Sequence, residues 1–123
     1  MDQRPRVLAI DDDPDFREGL ADALDTLGYP VTAAASGREA LDVLRTEPPP
    51  DVILLDLRMP DMDGKTFREV QRSDSALSRI PCVVMSGSRE AEEVGRSLGA
   101  AAVLAKPFRI QALVDSIERV TRN

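Results

Sequence analysis

The chain has 123 residues, 42% apolar and 31% charged, with 16 Lys and Arg against 22 Asp and Glu and a net charge of −6; this fits one globular domain over residues 1–123, with a core burying roughly two thirds of the unfolded surface. The acidity excludes a general nucleic-acid or anionic-membrane binder. No stretch approaches the roughly 20 apolar residues of a membrane span, and no apolar run follows the N-terminal charges as in a signal peptide. One cysteine and no histidine exclude an internal disulfide, cysteine or histidine zinc sites, His-based triads and haem ligation, so chemistry must rest on carboxylates, hydroxyls, Lys or Arg in an expected reducing, cytoplasmic setting.

Five short apolar runs alternate with helical patterns. Val7–Ile10 opens the chain as a continuous run, as expected of a strand buried on both faces. Asp13-Pro14 then reads as an N-cap with Pro at the first helical position, Phe16, Leu20, Leu24 and Leu27 recur on one face, and Gly28 ends the helix. Val31–Ala35, small and broken by Thr32, reads as an edge strand. Ser36-Gly37-Arg38-Glu39 is a capping box before Ala40, Leu41 and Leu44, and Pro48-Pro49-Pro50 cannot continue that helix. Val52–Leu55 is the third run. A third helix starts near Asp63-Gly64 and buries Phe67 and Val70. Cys82–Met85 is the fourth run, with Cys82 as inert core, and a helix from about Ser88 to Leu98 stops at Gly99. Val103–Ala105 is followed by a helix from about Phe108, with Ile110, Leu113, Val114, Ile117 and Val120 inward. This alternation implies right-handed crossovers and an α/β, doubly wound, five-stranded parallel sheet.

Ligands of such sheets bind beyond the carboxyl ends of the strands. There the sequence places Asp11-Asp12-Asp13 after the first strand, Asp56 after the third, Ser86-Gly87-Ser88 after the fourth and Lys106-Pro107 after the fifth. Taken singly, each has an ordinary reading: Asp11–Asp13 as helix-capping residues with Asp13 only a cap, Asp56 as a loop start, Ser86 as a cap, Lys106 as a solvated lysine. Together they are harder to assign to chance. Three close carboxylates repel unless protons or a cation sit among them, and a few hard oxygen ligands suit Mg²⁺ or Mn²⁺. Lys106 can offset part of the charge and hold a phosphoryl oxygen, and Ser86 can donate to the same group. Nothing in the set marks a proton-transfer pair with one raised pKa. A metal-assisted anionic nucleophile fits better, with Asp56 attacking phosphorus to become an acyl phosphate.

Val7-Leu8-Ala9-Ile10-Asp11-Asp12-Asp13-Pro14, Asp56-Leu57-Arg58-Met59-Pro60-Asp61-Met62-Asp63-Gly64, Met85-Ser86-Gly87 and Lys106-Pro107-Phe108 together resemble a response-regulator receiver domain of two-component signalling, in order and along essentially the whole chain. The resemblance implies a flavodoxin-like sheet of order 2-1-3-4-5. It implies that Asp56 takes a phosphoryl group from phosphohistidine on a sensor histidine kinase or phosphotransfer protein. Asp12, Asp56 and the backbone carbonyl of Arg58 would ligate Mg²⁺, with Asp11 acting through water. Ser86 would bind the phosphoryl group and Lys106 would pair with it, each gaining a partner that it lacks at rest. The Lys106-Pro107 bond is expected to be cis, and residues 59–64 to shape the loop over the acceptor. The change would bias a face on helix four, strand five and helix five toward a downstream output protein or domain, without direct contact to nucleic acid or membrane; homodimerisation through helices four and five is common in the family. Such a domain is not an enzyme beyond catalysing its own phosphorylation and dephosphorylation.

One departure matters. Val103 stands where the family usually has Tyr or Phe, so coupling to the output face is expected to be weaker or differently routed. The alternative is therefore a receiver-fold interaction module that works without phosphorylation. An enzyme of the haloacid dehalogenase phosphatase class would need an acid at position 58, where Arg58 stands, and a longer chain; a flavodoxin would need a hydroxyl-rich loop after strand one and more than 3% aromatics. Arg58 either reaches over the site or extends into solvent. Leu57, Met59 and Met62 either pack inward or form a docking surface, and the charges of helix four (Arg89, Glu90, Glu92, Glu93, Arg96) either face solvent or select a partner.

Overall fold

A computed structural model describes residues 4–58, 62–87 and 91–122. Five strands alternate with five helices: β1 (Val7–Ile10), α1 (Pro14–Thr26), β2 (Val31–Ala34), α2 (Gly37–Thr46), β3 (Val52–Asp56), α3 (Gly64–Ser73), β4 (Cys82–Ser86), α4 (Ala91–Ser97), β5 (Ala102–Ala105) and α5 (Ile110–Thr121). The sheet is parallel in the order β2-β1-β3-β4-β5, as expected. β2 lies at one edge, and Asp56 and Ser86 are the last residues of their strands rather than the first of their loops.

The continuous apolar runs have the predicted cause. Alternate residues of β1 and β3 point to opposite faces, and both faces are covered. Leu8, Ile10, Ile53 and Leu55 pack with Ala40, Leu41, Leu44 and Phe67 from α2 and α3. Val7, Ala9, Val52 and Leu54 pack with Leu20, Leu24, Leu113 and Ile117 from α1 and α5.

Most of the punctuation acts as read. The Asp13 carboxylate accepts from the N–H groups of Asp15 and Phe16, Ser36 Oγ accepts from Glu39 N–H, and Gly28 and Gly99 take positive φ of 90° and 70°. Two apolar assignments fail. Leu27 is 43% and Ile110 41% exposed. Leu27 is the C-cap of α1, past the last helical turn, so its side chain leaves the inward stripe. Ile110 opens α5, which begins two residues later than expected, and it lies on the rim of a groove beside Phe16 and Phe108. Of the expected Ser88–Leu98 helix, residues 88–90 lie outside the described residues, as do Met59, Pro60 and Asp61. Among the described residues no helix is long and apolar enough to cross a membrane.

Candidate functional site

The carboxyl ends of β1, β3, β4 and β5 bring the predicted carboxylates, Arg58 and Lys106 to one cavity, while Ser86, at the end of β4, is not part of its lining. A cavity of about 330 Å³ is lined by Asp11, Asp12, Asp13, Asp56, Arg58, Gly87 and Lys106. Asp11 is fully buried, because β1 lies between β2 and β3 and its backbone N–H continues the ladder to Ala34 O. Its carboxylate accepts from Asp13 N–H at 3.0 Å, and Arg17 donates to its backbone oxygen at 2.9 Å. Asp12, the next residue, is exposed toward the cavity. Asp13 is the α1 cap, as its ordinary reading had it.

Asp56 ends the central strand and is 6% exposed. Its Oδ1 lies 3.7 Å from Lys106 Nζ and accepts from Arg58 N–H at 3.5 Å. Burial, and then the charge of Asp11, push its pKa up to about 6, against the opposing pull of Lys106. The first cause is burial, which disfavours the charged form, and the like charge of Asp11 in the same pocket adds to it.

Lys106 follows β5 through a cis bond to Pro107, as expected. It is not an unpartnered ammonium waiting for a ligand. Its Nζ donates to Asp11 Oδ2 at 2.6 Å, so the expectation that it lacks a partner at rest is corrected: a buried, adjacent carboxylate takes the charge first. Ser86, buried at the end of β4, is likewise engaged. Arg58 is exposed on the pocket wall, its carbonyl in the chain turn after Asp56. Met62 packs inward, against the α2–α3 core and the backbone of Gly37.

Gly64 packs against the backbone at the end of β3. Its N–H donates to Leu57 O at 3.1 Å, and a Cβ added there would lie 2.7 Å from Asp56 O and 2.8 Å from Leu57 Cα. Both are backbone atoms and cannot step aside. Gly64→Ala should therefore destabilise the fold by about 2–4 kcal/mol in urea unfolding and displace the acceptor strand end.

Three functional features were not read from the sequence. Phe16 lies with its ring centroid 4.1 Å from Lys106 Nζ. Arg17 fixes the backbone of Asp11. Arg68 and Gln71 are buried polar residues of α3. Only the last had a usable signal: α3 has two large apolar residues, Phe67 and Val70, so polar residues must complete its inward stripe.

The donor set suits a hard divalent cation. Asp11, Asp12 and Asp56 each place a carboxylate oxygen within 4.8 Å of the others, with Lys106 compensating only part of the charge. Cys82, in contrast, is fully buried with its thiol pushed up to about 12 by desolvation, and is inert core as read.

Comparison with known proteins agrees with this geometry. Residues 7–118 match the response regulator receiver domain family. The chain is 33% identical to the probable chemotaxis protein CheY of Rhizobium etli, over 96% of this chain and 93% of that protein. It is 35% identical to the DNA-binding response regulator MtrA of Mycolicibacterium smegmatis, over 98% of this chain but 52% of that protein. Among solved structures, a putative response regulator of Chloroflexus aurantiacus superposes with a TM-score of 0.90 at 32% identity, covering 98% of this chain and 99% of that one. With the fold, the order of strands and the acidic strand-end site in agreement, the chain belongs to the response regulator receiver domain family.

Proposed function

We propose that Asp56 accepts a phosphoryl group from phosphohistidine on a sensor histidine kinase or phosphotransfer protein, in a Mg²⁺-dependent reaction, and that the added charge changes a protein-docking face. The observation that carries this is the placement of the buried Asp56 carboxylate, at the end of the central strand, in an acidic pocket with the Lys106 ammonium 3.7 Å away. A carboxylate oxygen of Asp56 attacks phosphorus. The P–N bond of the donor breaks, and its electron pair leaves on the imidazole, which is protonated. Lys106 would offset the charge that grows on the transferring phosphoryl oxygens, and the Ser86 hydroxyl, at the end of the neighbouring strand, would donate to one of them. Asp12, Asp56 and the Arg58 carbonyl would hold the cation, with Asp11 supporting it through water. When bound, it supplies charge compensation to the phosphoryl oxygens.

Phosphorylation puts about −1.5 to −2 of charge where −1 stood. The ammonium, held at rest mainly by Asp11, then has a more strongly charged partner, and this difference biases the site between two states. The reading makes the protein a cytoplasmic signalling domain that catalyses only its own phosphorylation and dephosphorylation. Its output is a downstream protein or domain reached through α4, β5 and α5, a face that also suits a homodimer.

A second reading, a receiver-fold interaction module independent of phosphorylation, is favoured by one contact. Val103 packs so closely on Gly95 of α4 that a Cβ added there would lie 2.5 Å from Val103 Cγ2, leaving no aromatic to rotate. Intact mass after incubation with Mg²⁺ and a small-molecule phosphodonor separates the two. One phosphoryl adduct, lost with a chelator and in Asp56→Asn, is expected. A folded wild-type chain that stays unmodified would favour the second reading.

A further inference from the structure

We infer that Phe16 is a positioning residue for Lys106, holding the ammonium over the acceptor through the face of its ring; the inference rests on the phospho-acceptor reading. The Lys106 Nζ sits 4.1 Å from the Phe16 ring centroid, within the range of a cation–π contact. The residue is itself held at its backbone and at its ring. Asp13 caps α1 and accepts from the Phe16 backbone N–H at 3.3 Å. Phe108, two residues beyond Lys106, meets the ring edge-on, with centroids 5.9 Å apart and planes at 89°. One aromatic side chain of α1 thus touches both the ammonium and the segment that carries it.

Among the described residues the ammonium's ion-pair partners are Asp11 at 2.6 Å and Asp56 at 3.7 Å. For Lys106 to serve a phosphoryl group on Asp56, part of its hold on Asp11 must be exchanged for the new oxygens. A third carboxylate in place of Phe16 would compete for the charge during that exchange. A neutral ring face attracts the ammonium without competing for the same hydrogen-bonding direction, and it shields a side chain that is 22% exposed. Phe16 therefore restricts where Lys106 goes while leaving its protons available.

The test compares wild type, Phe16→Leu and Phe16→Tyr, each with Lys106 intact and with Lys106→Ala, by the rate of phosphoryl labelling from a small-molecule phosphodonor with Mg²⁺. Leucine keeps apolar bulk but has no ring face; tyrosine keeps the face. Phe16→Leu is expected to slow labelling by about three- to tenfold and Phe16→Tyr to restore most of the rate. In the Lys106→Ala background, Phe16→Leu is expected to have no further effect. The Lys106 Hε proton signals in NMR should be shifted upfield by the ring in wild type and Phe16→Tyr, and return to ordinary values in Phe16→Leu. Equal labelling rates for wild type and Phe16→Leu would overturn the inference. So would a loss of the same size without Lys106, since that would make Phe16 a packing residue only. No labelling of wild type would overturn the phospho-acceptor reading and this role with it, and the persistence of the upfield Lys106 signal would distinguish that failure from the absence of the contact.

Discussion

Asp56→Asn is expected to make the metal-free protein more stable at pH 7, by about 1–3 kcal/mol in urea unfolding with chelator present, while removing the proposed phospho-acceptor. Asp56 is held at a pKa of about 6 against an ordinary 3.8, first by burial and then by the neighbouring charge of Asp11. Each tenfold rise in proton affinity is worth about 1.4 kcal/mol, so carrying the ionised form in the folded state costs up to about 3 kcal/mol, and a neutral side chain of the same shape avoids it. The lost attraction to Lys106, 3.7 Å away, is already contained in that net value. The sign fixes the pH window. Below about pH 4 the carboxyl is protonated both folded and unfolded, and the penalty is absent. Between about pH 4 and 6 the unfolded chain gives up this proton while the folded protein keeps it, so stability is lost until the folded carboxyl also ionises near 6. The gap between variant and wild type should therefore open between about pH 4 and 6 and stay constant above. A variant less stable than wild type at pH 7, or a gap independent of pH, would contradict this picture of the site.

Arg68→Ala is expected to cost about 2–4 kcal/mol of fold stability without changing the rate at which Asp56 is labelled. Arg68 is only 6% exposed, and among the described residues no carboxylate pairs with it; burial pulls its pKa below the ordinary value. Its charge is instead spread over dipoles. Nε donates to Leu98 O and Nη2 to Gly99 O, both at 3.0 Å, and Nη1 to Gln71 Oε1 at 2.7 Å. Gln71 in turn donates to Leu77 O and Ile80 O. Arg72 adds a second donor to Leu98 O at 3.2 Å. The fork thus satisfies carbonyls where α4 ends, the place where a cation is favoured by the helix dipole, and ties that end to α3 and to the segment before β4. Truncation takes the donor from the buried Gln71 Oε1, removes one of the two donors to Leu98 O and leaves a cavity behind. Lysine cannot present a planar fork to three acceptors, so Arg68→Lys should recover only part of the loss. Leucine refills space without a charge and should also lie between. Alanine and wild type unfolding at the same urea concentration would refute the clamp.

These two effects differ in how far the sequence announced them. The fold was legible because its elements carry independent marks: continuous apolar runs for strands covered on both faces, Asp13-Pro14 and Ser36 through Glu39 for helix starts, Gly28 and Gly99 for stops. Asp11, Asp56, Ser86 and Lys106 were legible as one site because a parallel sheet brings the ends of its strands to one edge, whatever their spacing in the chain. What escaped depends on directions that periodicity does not carry. Leu27 and Ile110 have the right spacing but lie at helix ends, where a small displacement of the boundary turns a side chain outward. Arg68 looks like a solvated arginine until the scarcity of apolar residues in α3 is noticed. The pairing of Lys106 with Asp11 rather than with Asp56 is a matter of little more than one ångström, 2.6 against 3.7 Å, and Phe16 at the site needed the α1 cap and Phe108 to be placed together.

The central claim, that Asp56 is the phospho-acceptor, is tested most directly by locating the modification. The protein is treated with Mg²⁺ and a small-molecule phosphodonor, reduced with borohydride, which converts an aspartyl phosphate to homoserine, and digested for peptide mass analysis. Homoserine at position 56, and at none of Asp11, Asp12 or Asp13, is the predicted result. Homoserine at another position, or an unreduced Asp56 in a folded wild-type chain, would contradict it.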